Sequence, residues 1–485
     1  MLNRILNIII APISLIRQRY IPLLLIYFAY GASSFIGIAE SFWVKDVLDL
    51  SLKDITILNA WILVPWTSKM IFGQLIDSVK IFSSNRKVYV YIGAGLMAFA
   101  TILFIFIAQK NIFPENYNFT LYFIASMLSM IGFVIQDVVA DTMTTEVVDR
   151  TQTQEEIKQE LATIQILARL SLGLGFLIMP SLGGYLFNGT NYATIFSLSL
   201  FVPIVSIIGV LFIDLYEVES SPINKEIIFG GISLAIFTLI IGLNDFIYSQ
   251  EIIFFVSFAV VLYFLNTIIQ DLDKNTIDNI KMVMIIIFIY QAMPNTDEII
   301  RLWQVDFLKF DKEFFTTKSL IGGVLGFLGL WFSAKYIIEQ SIGKVLLWLV
   351  FISTLLSIPN LLLCNNNSIL GVDAKSIFFI TTTLSSPFKY FAMVLILTLI
   401  AIHAPKGKRG TWFALMTSFM NLAIQAGVLF NKYLMNALDI TNKDYSQLET
   451  FLWIVIIIGF LIPTITILIF DPKIKIDAKN NSLKS

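Results

Sequence analysis

The chain has 485 residues, 57% of them hydrophobic and 14% charged, with a net charge of −1 and a mean hydropathy of +0.81. Soluble domains carry about 25% charged residues, so this composition places the chain in a membrane and gives no reason to expect nucleic-acid binding. A single cysteine, Cys364, and a single histidine, His403, exclude a disulfide within the chain, a cysteine metal cluster and a histidine zinc site; no resident metal or cofactor is expected.

In chain order, the apolar stretch Leu6 to Ile16, interrupted by Pro12, predicts a short interfacial helix. A spanning helix takes about 20 mostly apolar residues. That rule yields six spans in the first half, at 21–44, 54–76, 88–108, 119–140, 161–187 and 192–215. A polar link from Tyr216 to Lys225 precedes two compact runs at 226–243 and 252–269. A charged loop, Gln270 to Lys281, leads to six more spans at 280–304, 317–337, 344–364, 376–403, 411–436 and 449–470, and the polar tail from Asp471 is expected to be disordered. The expected fold is an all-α integral membrane protein of about fourteen spans, twelve of them core. These form an N-terminal six-helix bundle (1–216), a connector with an extra helical hairpin (217–279), a C-terminal six-helix bundle (280–471) and a tail (472–485). Lysine and arginine gather in alternate loops, at Arg17, Arg19, Arg86-Lys87, Lys406-Gly-Lys408-Arg409 and the tail, so both termini are expected to be cytoplasmic.

Polar groups inside these runs are the candidate functional residues, because charge is costly in hydrocarbon and belongs on an interior or wet face. Gln291-Ala-Met-Pro294-Asn-Thr-Asp297 falls where the ninth span should still be crossing. Proline removes a backbone donor and loosens the preceding turn, and broken polar helix centres hold solutes in many transporters; the alternative is a kink with a buried polar network that only packs helices. Asp137 and Asp141 are four residues apart and share one helix face, so one of them can take up and release a proton. The competing reading leaves Asp141 and Glu146 solvated at the end of the span. Lys69, three residues after Trp66, and Arg169 lie deep in their spans; Arg169 is expected to pair with Asp137 or Asp141, and Lys69 with Glu40. Such pairs are either structural or open to a solute carboxylate. Lys389, after Pro387, is expected to be structural. Trp66 and Tyr30 are candidate stacking faces for a flat ring, whereas Trp43, Trp61 and Trp303 near span ends are expected as interfacial anchors.

Two further motifs bear on conformational change. Gly73-Gln-Leu-Ile-Asp77, with Arg86 and Lys87, resembles the charge latch after the second span of the major facilitator superfamily, and Pro180-Ser-Leu-Gly183-Gly184 resembles the glycine–proline motif of its fifth helix. Together with Tyr27-Phe-Ala-Tyr-Gly31, Phe42-Trp-Val-Lys-Asp46, Pro65-Trp66-Thr-Ser-Lys69, Asp137-Val-Val-Ala-Asp141, the Pro294 motif and the run Gly410 to Leu422, they make the chain, from about 20 to 470, similar to the folate–biopterin transporter family of that superfamily. Departures are Tyr290 where the family commonly has tryptophan, Thr296 where it has a small residue, and the 226–269 hairpin.

That resemblance implies a secondary active transporter, not an enzyme, moving a folate- or pterin-like anion by alternating access with proton coupling. On this reading Lys69, Trp66, Tyr30, Asp137, Arg169, Gln291 and Asp297 bind substrate, and Asp137, Asp141 and Glu40 carry the proton. Gly73, Asp77, Arg86, Lys87, Pro180, Gly183, Gly184 and Pro294 gate. The partners implied are a small metabolite and the lipid bilayer, for a monomer in a bacterial inner membrane. Competing readings are a transporter of S-adenosylmethionine or an amino-acid derivative, a membrane-embedded lipid-modifying transferase, and a nontransporting sensor.

Overall fold

The computed structural model describes residues 12–48, 62, 64–82, 86–109, 117–149, 151–187, 190–211, 220–243, 247–310, 312–364, 368–369, 371–440 and 444–481. Twelve helices among them are long and apolar enough to cross a membrane. Two of the fourteen expected runs are not among these twelve. Part of 54–76, with Trp61, lies outside the described residues, and 280–304 is interrupted at 292–296. The chain divides into two compact units.

The first unit takes Ile10–Ile268 with Ile400–Ser418. Its helices are α1 (Ile21–Ala32), α2 (Gly37–Asp46), α3 (Val64–Thr67), α4 (Lys69–Ser78), α5 (Lys87–Ala108), α6 (Asn118–Glu146), α7 (Gln154–Phe187), α8 (Tyr192–Leu198), α9 (Phe201–Leu211), α10 (Lys225–Leu243) and α11 (Ser249–Ile269). Pro22 sits in the first turn of α1, where its missing N–H costs no hydrogen bond. Asn191 caps α8, accepting from the Thr194 amide at 2.8 Å. Small residues let helices touch. A Cβ on Gly175 of α7 would stand 2.7 Å from the Ala32 amide nitrogen at the end of α1, and one on Gly183 would overlap the Phe35 carbonyl. Without a hydrophobic force between lipid-bathed helices, such close approach is what holds them together. The same device joins α5 to α6, where a Cβ on Gly132 would lie 2.6 Å from the Gly93 carbonyl.

The second unit contains Ile269–Leu399 and Phe419–Ser485. It holds α12 (Lys274–Gln291), α13 (Asp297–Asp306), α14 (Lys312–Glu339), α15 (Ile342–Leu362), α16 (Ala374–Ile402), α17 (Arg409–Ala437) and α18 (Leu448–Asn481), with 400–402 of α16 and 409–418 of α17 counted in the first unit. A two-stranded hairpin, β1 (Ser368–Ile369) and β2 (Val372–Asp373), precedes α16. Gly371 at φ +80° supplies the left-handed residue it needs. The last helix continues to Asn481, so the stretch after Asp471 expected to be disordered is helical that far.

Two tryptophans correct the sequence reading. Trp43 is fully buried among Phe104, Tyr122 and Phe196, with ring centroids 5.3–6.3 Å away. Trp303 is 4% exposed and packs edge-on against Phe378. Neither is an interfacial anchor. The aromatic neighbours each one found on other helices bury more surface than a headgroup layer would.

Candidate functional site

The middle of the first unit is organised along α6. Asp137 and Asp141 lie one turn apart on its inward face, 9% and 3% exposed. Facing them is Lys69, placed by a local break. The chain turns at Ser68 between α3 and α4, and the Thr67 and Ser68 hydroxyls donate back to the Val64 carbonyl at 2.8 and 3.0 Å. Lys69 thereby opens α4, buried, with Nζ 2.6 Å from Asp137 Oδ2 and 3.2 Å from Asp141 Oδ2. It also donates to Thr417 Oγ1 at 3.2 Å. Arg169 of α7 brings Nη2 to 3.8 Å from Asp141 Oδ1, and its guanidinium lies 5.0 Å over the Tyr27 ring. Tyr27 donates its hydroxyl to Asp141 at 2.6 Å.

The cluster has two cations and two carboxylates, so it is neutral when both aspartates are ionised. Neutrality is what makes the burial of four charges tolerable. One donor is left over: Arg169 Nε is buried without a partner, and one turn before it Gln165 Oε1 is likewise unmatched. The expected pairing of Arg169 with Asp141 is present. The expected pairing of Lys69 with Glu40 is not, because Lys69 engages both aspartates of α6. Glu40 of α2 instead accepts from Tyr122 at 2.9 Å.

An aromatic wall borders the cluster. Tyr30 stacks on Trp66 with centroids 6.2 Å apart and planes 27° apart, and Phe133 and Phe176 flank it at 5.7 and 6.1 Å. Lys69 Nζ lies 5.6 Å over the Trp66 ring, a cation–π contact. Trp66 Nε1 donates to Met130 Sδ at 2.8 Å. Met130 and Phe133 in turn line a cavity of about 520 Å³ that contains Glu40.

At the far end of α6 lies the latch. Arg86 donates Nε to Glu146 at 2.8 Å, a second nitrogen to the same carboxylate, and Nη1 to the Ile76 carbonyl at 2.5 Å. Glu146 is therefore a partner of Arg86 rather than a solvated carboxylate. Burial opposes the Arg86 charge, but Glu146 and then Asp77 outweigh it and raise its pKa. Asp77 accepts the amides of Gly410 and Thr411 at 3.0 and 2.7 Å and the Thr411 hydroxyl at 2.9 Å. These amides open α17, where free N–H groups favour an anion. Gly73 and Gly410 make the approach possible: a Cβ on Gly73 would stand 2.7 Å from the Gly410 carbonyl. Lys87 is half-buried at the start of α5, and Pro180 lies inside α7.

In the second unit α12 stops at Gln291 and α13 starts at Asp297, with Pro294 buried between them. The Asp297 amide donates to Asn295 Oδ1 at 2.7 Å, and Asn431 of α17 donates to the Asn295 carbonyl at 2.6 Å. Asp297 pairs with Lys389 at 2.6 Å, both about 60% exposed. Lys389 is thus the partner of a candidate site residue. Thr417 and Tyr27 were not singled out as site residues by sequence. A hydroxyl in a late span and a tyrosine in the first give no hint of partner until the helices are placed.

The model of the BT1 family matches residues 31–485. The Folate-biopterin transporter of Synechocystis sp. is 23% identical over 433 residues, covering 88% of this chain and 77% of that protein. Folate transporter 1 of Plasmodium falciparum is 22% identical over 426 residues, covering 87% and 74%. A bacterial homologue of the iron transporter ferroportin, solved facing outward, superposes with a TM-score of 0.61 at 12% identity, covering 94% of this chain and all of that one. A transporter of the Major Facilitator Superfamily is similar in the same way. At such identity these structures establish the fold alone.

Proposed function

The chain belongs to the BT1 family, and from that premise we propose that it is a secondary active transporter of a folate- or pterin-like anion, working by alternating access and coupled to protons. The observation that carries this reading is the neutral, buried cluster of Lys69, Asp137, Asp141 and Arg169 beside the Tyr30–Trp66 stack. The names of the two relatives point to the same substrate class.

The coupling follows from charge counting. With both aspartates ionised the cluster has no net charge and little to offer an anion. Protonation of Asp137 or Asp141 leaves a net positive charge, freeing Lys69 or Arg169 for a solute carboxylate. The unmatched Arg169 Nε is a ready donor to that carboxylate. Tyr30 and Trp66 offer aromatic faces to a flat ring. Proton and anion then bind each other's favoured state, which is the linkage a symporter needs. The Asp77–Arg86–Glu146 latch, with Gly73 and Lys87, holds one conformation. Pro180 with Gly183 and Gly184, and Pro294, are the flexible points. Gln291 and Asp297 form a polar station of their own at the α12–α13 break. We place both termini in the cytoplasm and the chain, as a monomer, in a bacterial inner membrane.

Uptake of labelled folate, pterin and S-adenosylmethionine by transport-deficient cells expressing the chain tests the substrate class. Uptake of folate or pterin, reduced when a protonophore removes the proton gradient, supports the reading. Uptake of S-adenosylmethionine alone would move the substrate to another class.

A further inference from the structure

Glu40, removed by the geometry from the Lys69 cluster, needs a role of its own. It lines the cavity of about 520 Å³ with Tyr122, Ser126, Ser129, Thr101 and Phe133, and among the described residues no lysine, arginine or histidine lines it. The volume lies within the range of small-molecule sites, about 300–1,000 Å³. Among the described residues the lining has a single carboxylate, several hydroxyls and aromatic rings. Tyr122 occupies one oxygen of Glu40, whereas a carboxylate offers about four acceptor positions. The Ser33, Ser41, Thr101 and Ser199 hydroxyls donate to helix carbonyls and Tyr122 donates to Glu40, so the site offers a ligand chiefly acceptors, and the ligand must bring donors.

We infer that the cavity is the head-group subsite for the 2-amino-4-oxopyrimidine edge of a pterin, read by Glu40 through two parallel hydrogen bonds. The inference rests on the folate or pterin reading above. That edge carries an N–H and an NH₂ side by side, the arrangement that a carboxylate accepts in bidentate fashion. Phe133 supplies a flat neighbour for the ring. Placement favours this ligand over a simple amine, which would need only the carboxylate. Phe133 lies four residues before Asp137 on α6, about 6 Å along the axis, and touches Tyr30, while Met130 accepts from Trp66, whose ring meets Lys69. A donor-rich heterocycle in the cavity therefore has the cationic end of the ion cluster next to it, and a molecule with a carboxylate tail spans the two.

The test is equilibrium binding to the purified full-length protein of three probes: pterin, lumazine (in which an oxo group replaces the 2-amino group) and 4-aminobenzoylglutamate. The wild type is expected to prefer pterin to lumazine by about tenfold or more, since a buried acceptor left without its donor is costly. Glu40→Gln should erase that preference and leave 4-aminobenzoylglutamate binding unchanged, while Glu40→Asp keeps part of it. If Glu40→Gln does not fold, Tyr122→Phe tests the same contact by releasing the carboxylate from its positioning donor, and the preference should fall. Retention of the full preference in Glu40→Gln, or in Tyr122→Phe where that variant stands in, overturns the subsite, as does equal binding of pterin and lumazine by the wild type. A wild type that binds none of the three probes fails the folate or pterin reading itself.

Discussion

Lys69 Nζ stands 2.6 Å from Asp137 Oδ2 and 3.2 Å from Asp141 Oδ2, so one buried ammonium holds together two carboxylates that would otherwise repel each other. Removing one partner of a buried ion pair costs about 3–5 kcal/mol, whereas replacing both partners with apolar groups is often neutral. Lys69→Ala should therefore lower the thermal midpoint of the purified protein and abolish uptake. Lys69→Met combined with Asp137→Leu should recover much of the midpoint without recovering uptake. A double variant that transports would reduce the pair to a structural element.

Asp137→Asn should separate coupling from binding. The substitution keeps the shape but fixes the group in a neutral form. Accumulation driven by a proton gradient should fall about tenfold or more, while exchange of labelled for unlabelled solute across the membrane persists. Equal loss of exchange and accumulation would assign Asp137 to binding alone. Both kinetic modes measured on one preparation decide the matter.

Close packing of α1 on α7 predicts a size limit at Gly175. Any Cβ there lies within 3 Å of the Gly31–Ala32 backbone. Gly175→Val should cost about 1–3 kcal/mol by overpacking, seen as lower expression and a lower thermal midpoint. Gly95, whose Cβ would meet nothing within 4 Å, is the control, and Gly95→Val should be nearly silent.

The latch makes a kinetic prediction. Asp77 gathers two amides and a hydroxyl from the start of α17, contacts separate from the ion pairs of Lys69 with Asp137 and Asp141. Asp77→Asn weakens them, because an amide replaces a charged acceptor with a weaker one and adds a competing donor. The maximal uptake rate should fall about tenfold while the half-saturating concentration changes little. A variant that loses affinity at unchanged rate would show that the latch shapes the binding site.

The membrane architecture was legible in the sequence because length and apolarity alone define a span, and the twelve helices that qualify coincide with expected runs. Pro294 marked the α12–α13 break for the equally local reason that proline lacks an N–H. The carboxylate pair of α6 was visible as a four-residue spacing. What sequence did not carry was which helix faces which. Lys69 had Glu40 as its expected partner and found Asp137 and Asp141. Trp43 carried the statistics of an interfacial residue, yet it is enclosed by Phe104, Tyr122 and Phe196 from three other helices. Thr417 becomes a partner of Lys69 only once the start of α17 is placed beside α4.

The most direct measurement of the central claim is uptake of labelled folate and pterin into liposomes containing the purified protein, with and without an imposed proton gradient, for the wild type, Lys69→Ala and Asp137→Asn. The expected result is gradient-driven accumulation by the wild type that both substitutions abolish. Accumulation by either variant at the wild-type rate would contradict the assignment of the buried Lys69–Asp137 pair as the seat of substrate and proton binding.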